Sequence, residues 1–334
     1  MSTVIPAGGT RAPTLRDVQE PVRAGLERVG EELWRIVTAD LPIIAEVNSH
    51  LMLMKGKMFR PTLVLLASEV EQRPEPRAPA LAAIVELVHL ATLVHDDSVD
   101  HSALRRGMPT INALFSHQIS VIMGDYLYSR AMVELVRLAD LDVLRVMAAA
   151  TNVMTIGEMR QLGAVDALAF TEHDYEALIR AKTASLLSAA CEIGALAGAS
   201  AHRQALARYG ESLGMAFQVV DDLLDYTAEQ KVTGKPTGLD LREHKVTLPL
   251  LGALRTMSPA GRREIERLFA SAEPDDAQIA RVVDIVAEHG GLEYARRRGD
   301  DYAKDAESAL VGLPDSPALT ALHDAIGYVM DRSA

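Results

Sequence analysis

Along most of the chain apolar residues return every three to four positions, the spacing of one buried helix face, and no segment shows the strict alternation of a strand. Leu81, Ile84, Val85, Val88 and Thr92 fall at i, i+3, i+4, i+7 and i+11. They predict a core helix that runs directly into the acidic string HDDSVD at 95–100. Similar periodicity predicts helices over about 15–38, 42–54, 60–72, 120–139, 143–164, 172–199, 203–228, 246–256, 260–271, 276–289, 291–309 and 316–331. The breaks are short: EQRPEPRAP at 71–79 is a proline-broken connection, and VTGKPTG at 232–238 is a glycine-rich loop. Neither reads as an interdomain linker. The pattern therefore predicts an all-α fold, a single large helical bundle over 15–334, behind a flexible N-terminal tail at 1–14.

Two acidic strings stand out against this apolar background. Asp96, Asp97 and Asp100 end the helix just described, and Asp221, Asp222 and Asp225 repeat the same DDxxD spacing about 120 residues later, after the apolar run GMAFQVV. Each residue turns a helix by about 100°, so Asp96 and Asp100 lie within about 40° of one another with Asp97 flanking, and the three carboxylates are expected on one face. Like charges within one turn repel unless a cation neutralises them. One such cluster reads as readily as a solvated helix end; two identical ones point to a metal. Oxygen ligands without histidine or cysteine favour Mg²⁺, which keeps waters and completes its shell with phosphate oxygens. Gln218 shares a face with Asp222 and Asp225.

A clamp of this kind needs cations for the remaining phosphate charge. Lys57 and Arg60 lie in KGKMFRP, Arg105 and Arg106 follow the first cluster, Lys182 lies in AKTAS, and Lys235 and Lys245 follow the second cluster. Any one of them alone is an ordinary surface charge; together they suit phosphate contact. Composition restricts the partners further. With 34 basic and 46 acidic residues the net charge is -12, which disfavours nucleic acid and anionic lipid as general partners. Aromatic residues are only 4% of the total. A single cysteine, Cys191, permits neither an intramolecular disulfide nor a cysteine metal site, and reads as a small buried hydrophobe in a reducing compartment. The N-terminal stretch lacks the pattern of a secretory leader, and no uninterrupted apolar run approaches the roughly 20 residues of a membrane span. A cytoplasmic location is expected.

The segments GKMFRPTLVLLA, VELVHLATLVHDDSVDHSALRRGMPT, GDYLYSRA, KTASLLSAACEIGA, GMAFQVVDDLLDYT and GKPTGLDLREHKVTLPLL occur in the order found in the trans-type (head-to-tail) polyprenyl diphosphate synthases, which the chain resembles over roughly 20–330. The resemblance implies an isoprenoid synthase helical bundle around a deep central cavity, and a homodimer. It implies Asp96, Asp100 and Asp221 as direct ligands of Mg²⁺, three ions per active site, with Asp97, Asp222 and Asp225 in support. Arg105, Lys182, Lys235 and Lys245 would hold the allylic diphosphate. Lys57, Arg60, His89 and Arg106 would hold isopentenyl diphosphate without a metal. Lys182, Thr183 and Gln218 take the catalytic positions, the last two facing the allylic cation. His89 lies seven residues before Asp96 and so on nearly the same face.

The chain departs from the family pattern where Lys55 replaces a glycine and Met58 an arginine, so the isopentenyl diphosphate pocket is the property most altered. Product length in the family depends on the pocket floor beneath the first cluster. Val88, Ala91 and Thr92 occupy it here, Ala91 and Thr92 lying about 6 to 8 Å down the helix, and none is aromatic. The resemblance then implies a long-chain all-trans product of about C30 to C50 that leaves through transient membrane contact, with Met132 as a facing floor. Three alternatives compete: a short-chain farnesyl or geranylgeranyl diphosphate synthase, a non-catalytic subunit of a heteromeric synthase, and a terpene cyclase. The low aromatic content and the aspartate-only second cluster argue against the cyclase, and the full set of aspartates and cations against the subunit.

Overall fold

A computed structural model describes residues 11–54, 56–162, 169–227 and 238–333, and these fold almost entirely as helices. Helix α1 (Leu15–Gln19) opens on a capping box in which Asp17 accepts from the Thr14 backbone N–H and hydroxyl. Pro21 ends it in a 3₁₀ turn at Glu20–Val22, and α2 (Arg23–Val37) follows, so the helix expected over 15–38 is two helices. Next come α3 (Pro42–Leu53), α4 (Phe59–Ser68) and α5 (Ala78–Val99). Helix α4 stops short of the expected residue 72, where Gln72 has turned left-handed at φ 57°.

After α5 the chain makes a two-residue antiparallel ladder, β1 (Leu104–Arg105) on β2 (Met108–Pro109), turned by Arg106 and Gly107 at φ 53° and 76°. Sequence periodicity could not announce strands this short. Helices α6 (Ile111–Leu114), α7 (His117–Leu138) and α8 (Leu141–Leu162) follow. The helix expected over 172–199 is α9 (Glu172–Ile179), a π-turn at Arg180–Ala184, and α10 (Ser185–Leu196). Then comes α11 (Arg203–Thr227), which ends on the second acidic cluster. The remainder is α12 (Leu239–Arg242), α13 (Leu248–Leu254), α14 (Pro259–Ala270), α15 (Asp276–Glu288), α16 (Gly291–Ala309), α17 (Pro317–Met330) and a 3₁₀ turn at Asp331–Ser333.

Helix α10 packs on both α4 and α11, α11 continues the layer to α16, and α5 lies between α4 and α7. These approaches are close because glycines sit at the crossings. A Cβ on Gly194 would lie 2.2 Å from the Val64 carbonyl, and one on Gly210 would lie 2.5 Å from the Leu187 carbonyl. Cys191 is fully buried in this layer, where desolvation pushes its thiol up, as suits a small core hydrophobe. Among the described residues α5 alone is long and apolar enough to cross a membrane, yet two-thirds of its apolar window is buried by neighbouring helices. It is the central helix of the bundle, and its C-terminal end delivers the first acidic cluster.

Candidate active site

At the end of α5 the three aspartates part company. Asp96 is half-buried and Asp100 exposed one turn on. Asp97 is 4% exposed and turned beneath the hairpin, where Arg105 grips it through Nε at 2.8 Å and Nη2 at 2.7 Å. The expectation that all three carboxylates share one face is corrected accordingly. The 100° step from Asp96 to Asp97 is enough to bury the second carboxylate once the chain folds back over it. Arg105, expected on a diphosphate, is here the partner of Asp97.

Burial raises Asp96 to about 6, opposed by the nearby positive charge of Lys182 and reinforced by Glu158 and Asp100. Lys182 reaches back to Glu158 at 2.8 Å and to Gln161 at 3.3 Å. On α11, Asp221 pairs with Arg332 at 2.9 Å, and that guanidinium also stacks on the Phe217 ring at 4.3 Å. Asp225 accepts the backbone N–H groups of Leu239 and Asp240, both at 3.0 Å, and so caps α12. Burial, with Asp225 beside it, raises Asp240 to about 6. Lys245 is held by Glu243 at 2.6 Å and lies in the field of both Asp240 and Asp100, so the ends of α5 and α11 face a common space.

Asp222 is buried and fully engaged by protein donors. Tyr175 gives it a 2.5 Å bond and Gln218 a 2.9 Å bond, while Thr183 donates to Gln218 at 2.7 Å. Desolvation drives the Asp222 carboxyl well above its usual range, with Asp240 adding to the rise and the two donors opposing it. The π-turn carries Lys182 and Thr183, and such turns re-aim side chains that a regular helix would place elsewhere.

Beside Asp221 lies a second, basic group. Arg60 is half-buried, its Nε is fully buried with no hydrogen-bond partner among the described residues, and desolvation lowers its pKa against the opposing pull of Glu86 and Asp221. Arg106 donates to the Met54 carbonyl at 3.0 Å. Desolvation and the neighbouring arginines hold His89 well below the usual imidazole range, so it is neutral. Glu86 is 5% exposed and raised by desolvation, Arg60 and Arg106 counteracting. Gly56 leaves them room, because a Cβ there would lie 3.2 Å from both Arg106 Nη1 and Glu86 Oε1.

The structure thus brings together Arg60, His89 and Arg106, and separately Asp96, Asp100, Lys182 and Lys245. Lys57 is exposed, and its backbone carbonyl accepts from Gln19 at 2.9 Å. Met58, where the resemblance expects an arginine, takes a left-handed φ of 53° ahead of α4 and packs on the core. Lys55 and Lys235 lie outside the described residues. Val88 and Ala91 are buried, and the Thr92 hydroxyl donates to the His89 carbonyl at 2.8 Å. Met132 packs partly buried against the core.

The donor set fits Mg²⁺. It is all oxygen, partly desolvated and self-repelling, although among the described residues no three His, Cys, Asp or Glu side chains gather as a ready metal cage. Over residues 41–286 the chain matches the family model described as polyprenyl synthetase. It belongs to that family. It is 35% identical to the octaprenyl diphosphate synthase of Haemophilus influenzae over 322 residues, 96% of this chain and 98% of that one. A polyprenyl synthase of Caulobacter crescentus, complexed with calcium and isoprenyl diphosphate, matches with TM-score 0.91 and 33% identity over 97% of this chain and 100% of that one. A decaprenyl diphosphate synthase of Rhodobacter capsulatus matches with TM-score 0.90 and 36% identity over 96% and 99%. Within this polyprenyl synthetase bundle, motif reading missed Glu86, Glu158, Tyr175, Asp240 and Arg332. Glu86 alone carried a local signal, a charge three residues before His89 on an otherwise apolar helix.

Proposed function

We propose that the chain is a Mg²⁺-dependent prenyltransferase, one domain over residues 15–334, that condenses isopentenyl diphosphate with an allylic diphosphate and repeats the step to a long-chain all-trans polyprenyl diphosphate. The carrying observation is the pairing of two different anion sites: carboxylates and lysines at the ends of α5 and α11, and the Arg60, His89 and Arg106 group beside Asp221. One site suits a metal-bound diphosphate and the other a bare one. Relatives named octaprenyl and decaprenyl diphosphate synthases support the long product.

Asp96, Asp100 and Asp221 would hold Mg²⁺, three ions in all, which would supply charge stabilisation for a departing diphosphate. Lys182 and Lys245, with Lys235, add positive charge to the same oxygens as the allylic C–O bond ionises, while Arg105 holds Asp97 beneath the hairpin. Thr183 and Gln218 present oxygen lone pairs toward the resulting allylic cation. Arg60, Arg106, His89 and Lys57 hold isopentenyl diphosphate so that its double bond attacks that cation, and the released diphosphate takes the proton then lost. No protein nucleophile is needed.

Exposed apolar residues on α7 and α8 support a homodimer. The acidic surface suits the cytoplasm, with transient membrane contact at product release. The test is to incubate the purified chain with Mg²⁺, labelled isopentenyl diphosphate and each of dimethylallyl, geranyl, farnesyl and geranylgeranyl diphosphate, then size the dephosphorylated products. A ladder ending in long polyprenols is expected. A stop at farnesol or geranylgeraniol would make it a short-chain enzyme, and no elongation from any primer would make it a partner subunit.

A further inference from the structure

A chain of hydrogen bonds, buried at its Tyr175 end and part-buried beyond, runs from α9 through α11 to the π-turn, and what it does rests on the assignment of Thr183 and Gln218 to the allylic carbon. Tyr175 Oη donates to Asp222 Oδ2 at 2.5 Å, Gln218 Nε2 donates to Asp222 Oδ1 at 2.9 Å, and Thr183 Oγ1 donates to Gln218 Oε1 at 2.7 Å. Tyr175 is 2% exposed and Asp222 4%, so water does not compete for these groups.

The chain has a direction. An amide can sit in either of two flips, and here Gln218 turns its NH₂ to Asp222 Oδ1 and its oxygen toward the Thr183 hydroxyl. The Thr183 hydroxyl then spends its proton on that oxygen and leaves its own lone pairs outward. Gly214 makes the contact reachable. A Cβ there would lie 2.6 Å from Ala184 Cα, so the missing side chain lets the π-turn rest on α11 one turn from Gln218.

We propose that Tyr175 is a positioning residue for the allylic cation: through Asp222 it sets the flip of Gln218 and the hydroxyl direction of Thr183, so that oxygen lone pairs and not protons face the reacting carbon. Asp222 then serves as a hydrogen-bond anchor inside the protein, unlike Asp221 on the outer side of the same cluster. With the anchor loosened, donor hydrogens can turn toward the cation and water can reach it. Water adds to the cation and loses a proton, giving the allylic alcohol in place of an elongated chain.

The experiment measures kcat, both KM values, Mg²⁺ half-saturation and the ratio of allylic alcohol to elongated product in the full-length chain. Tyr175→Phe, which keeps the ring and removes only the hydroxyl, is expected to lower kcat about tenfold or more, the loss of one buried hydrogen bond. Both KM values should stay within about twofold while the alcohol fraction rises. In a Thr183→Val background the same substitution should cost much less, because the chain is already cut. Asp222→Asn, a second route to the same lesion, should reproduce the alcohol release with unchanged Mg²⁺ half-saturation. A kcat near wild type in Tyr175→Phe, an equal loss in both backgrounds, or a large Mg²⁺ shift in Asp222→Asn would overturn the proposal. A wild-type rate in Thr183→Val would overturn it differently, by removing Thr183 from the allylic site while polyprenyl synthesis itself stands.

Discussion

Asp96 and Asp221 belong to different helices yet each is a partly buried carboxylate near other carboxylates and basic side chains, Lys182 and Arg105 near the one and Arg332 against the other. If metal-bound diphosphate is what they hold in turnover, Asp96→Ala or Asp221→Ala should lower kcat on the order of a thousandfold, several kcal/mol of charge stabilisation. The fold should survive, since neither residue belongs to the apolar core. Steady-state rates beside a thermal melt check this, and near-normal turnover in either variant would count against the clamp. The aspartates were legible in the sequence because DDxxD is a local spacing on one helix. Tyr175 and Arg332 were not, since each reaches the site only when a distant helix docks: α9 brings Tyr175 to α11, and the turn after α17 lays Arg332 on Phe217.

Helical periodicity located α5, α7 and α11 to within a few residues because each buries one long apolar face, a property that any window of the sequence displays. The π-turn inside the helix expected over 172–199 left no such trace, because one widened turn shifts the register without interrupting the apolar run. The helix crossings were equally silent, and they define a test of sign. Gly194→Ala would drive a methyl into the Val64 carbonyl, and backbone cannot yield, so a loss of about 1–3 kcal/mol and a melting temperature lower by several degrees are expected. Gly30→Ala on α2 meets nothing within 4 Å and should gain about 0.5–1 kcal/mol from helix propensity. Opposite shifts in two thermal melts would support the close-packing account, and equal shifts would refute it. On α5, Ala91 lies more than one turn below Asp96, on the helix that packs against α7. Ala91→Phe should shorten the product ladder while turnover continues, and an unchanged ladder would remove Ala91 from the growing chain's path.

For the whole molecule the unsettled surface is the outer face of α7 and α8. Ile122, Val133 and Val136 fall at i, i+11 and i+14, which places them on one side of α7, and Ile122 and Val136 are 64% and 67% exposed. Val153 and Ile156, one turn apart on α8, are also exposed. Scattered apolar residues on a surface need no explanation, but a stripe running the length of a helix and repeated on the next one does. A second copy of the chain would bury the stripe against itself, the self-complementary arrangement of a two-fold dimer. The wild-type chain should therefore sediment at twice its 36.1 kDa mass, and Val133→Asp combined with Val136→Asp should give monomers. Both side chains project outward, so the folded monomer should keep its circular dichroism, and aspartates that face a partner would stand desolvated opposite their own symmetry mates. A wild-type chain that sediments as a monomer at micromolar concentration would refute the dimer and leave the stripe to another partner. A double variant that remains dimeric would move the two-fold contact to a different face.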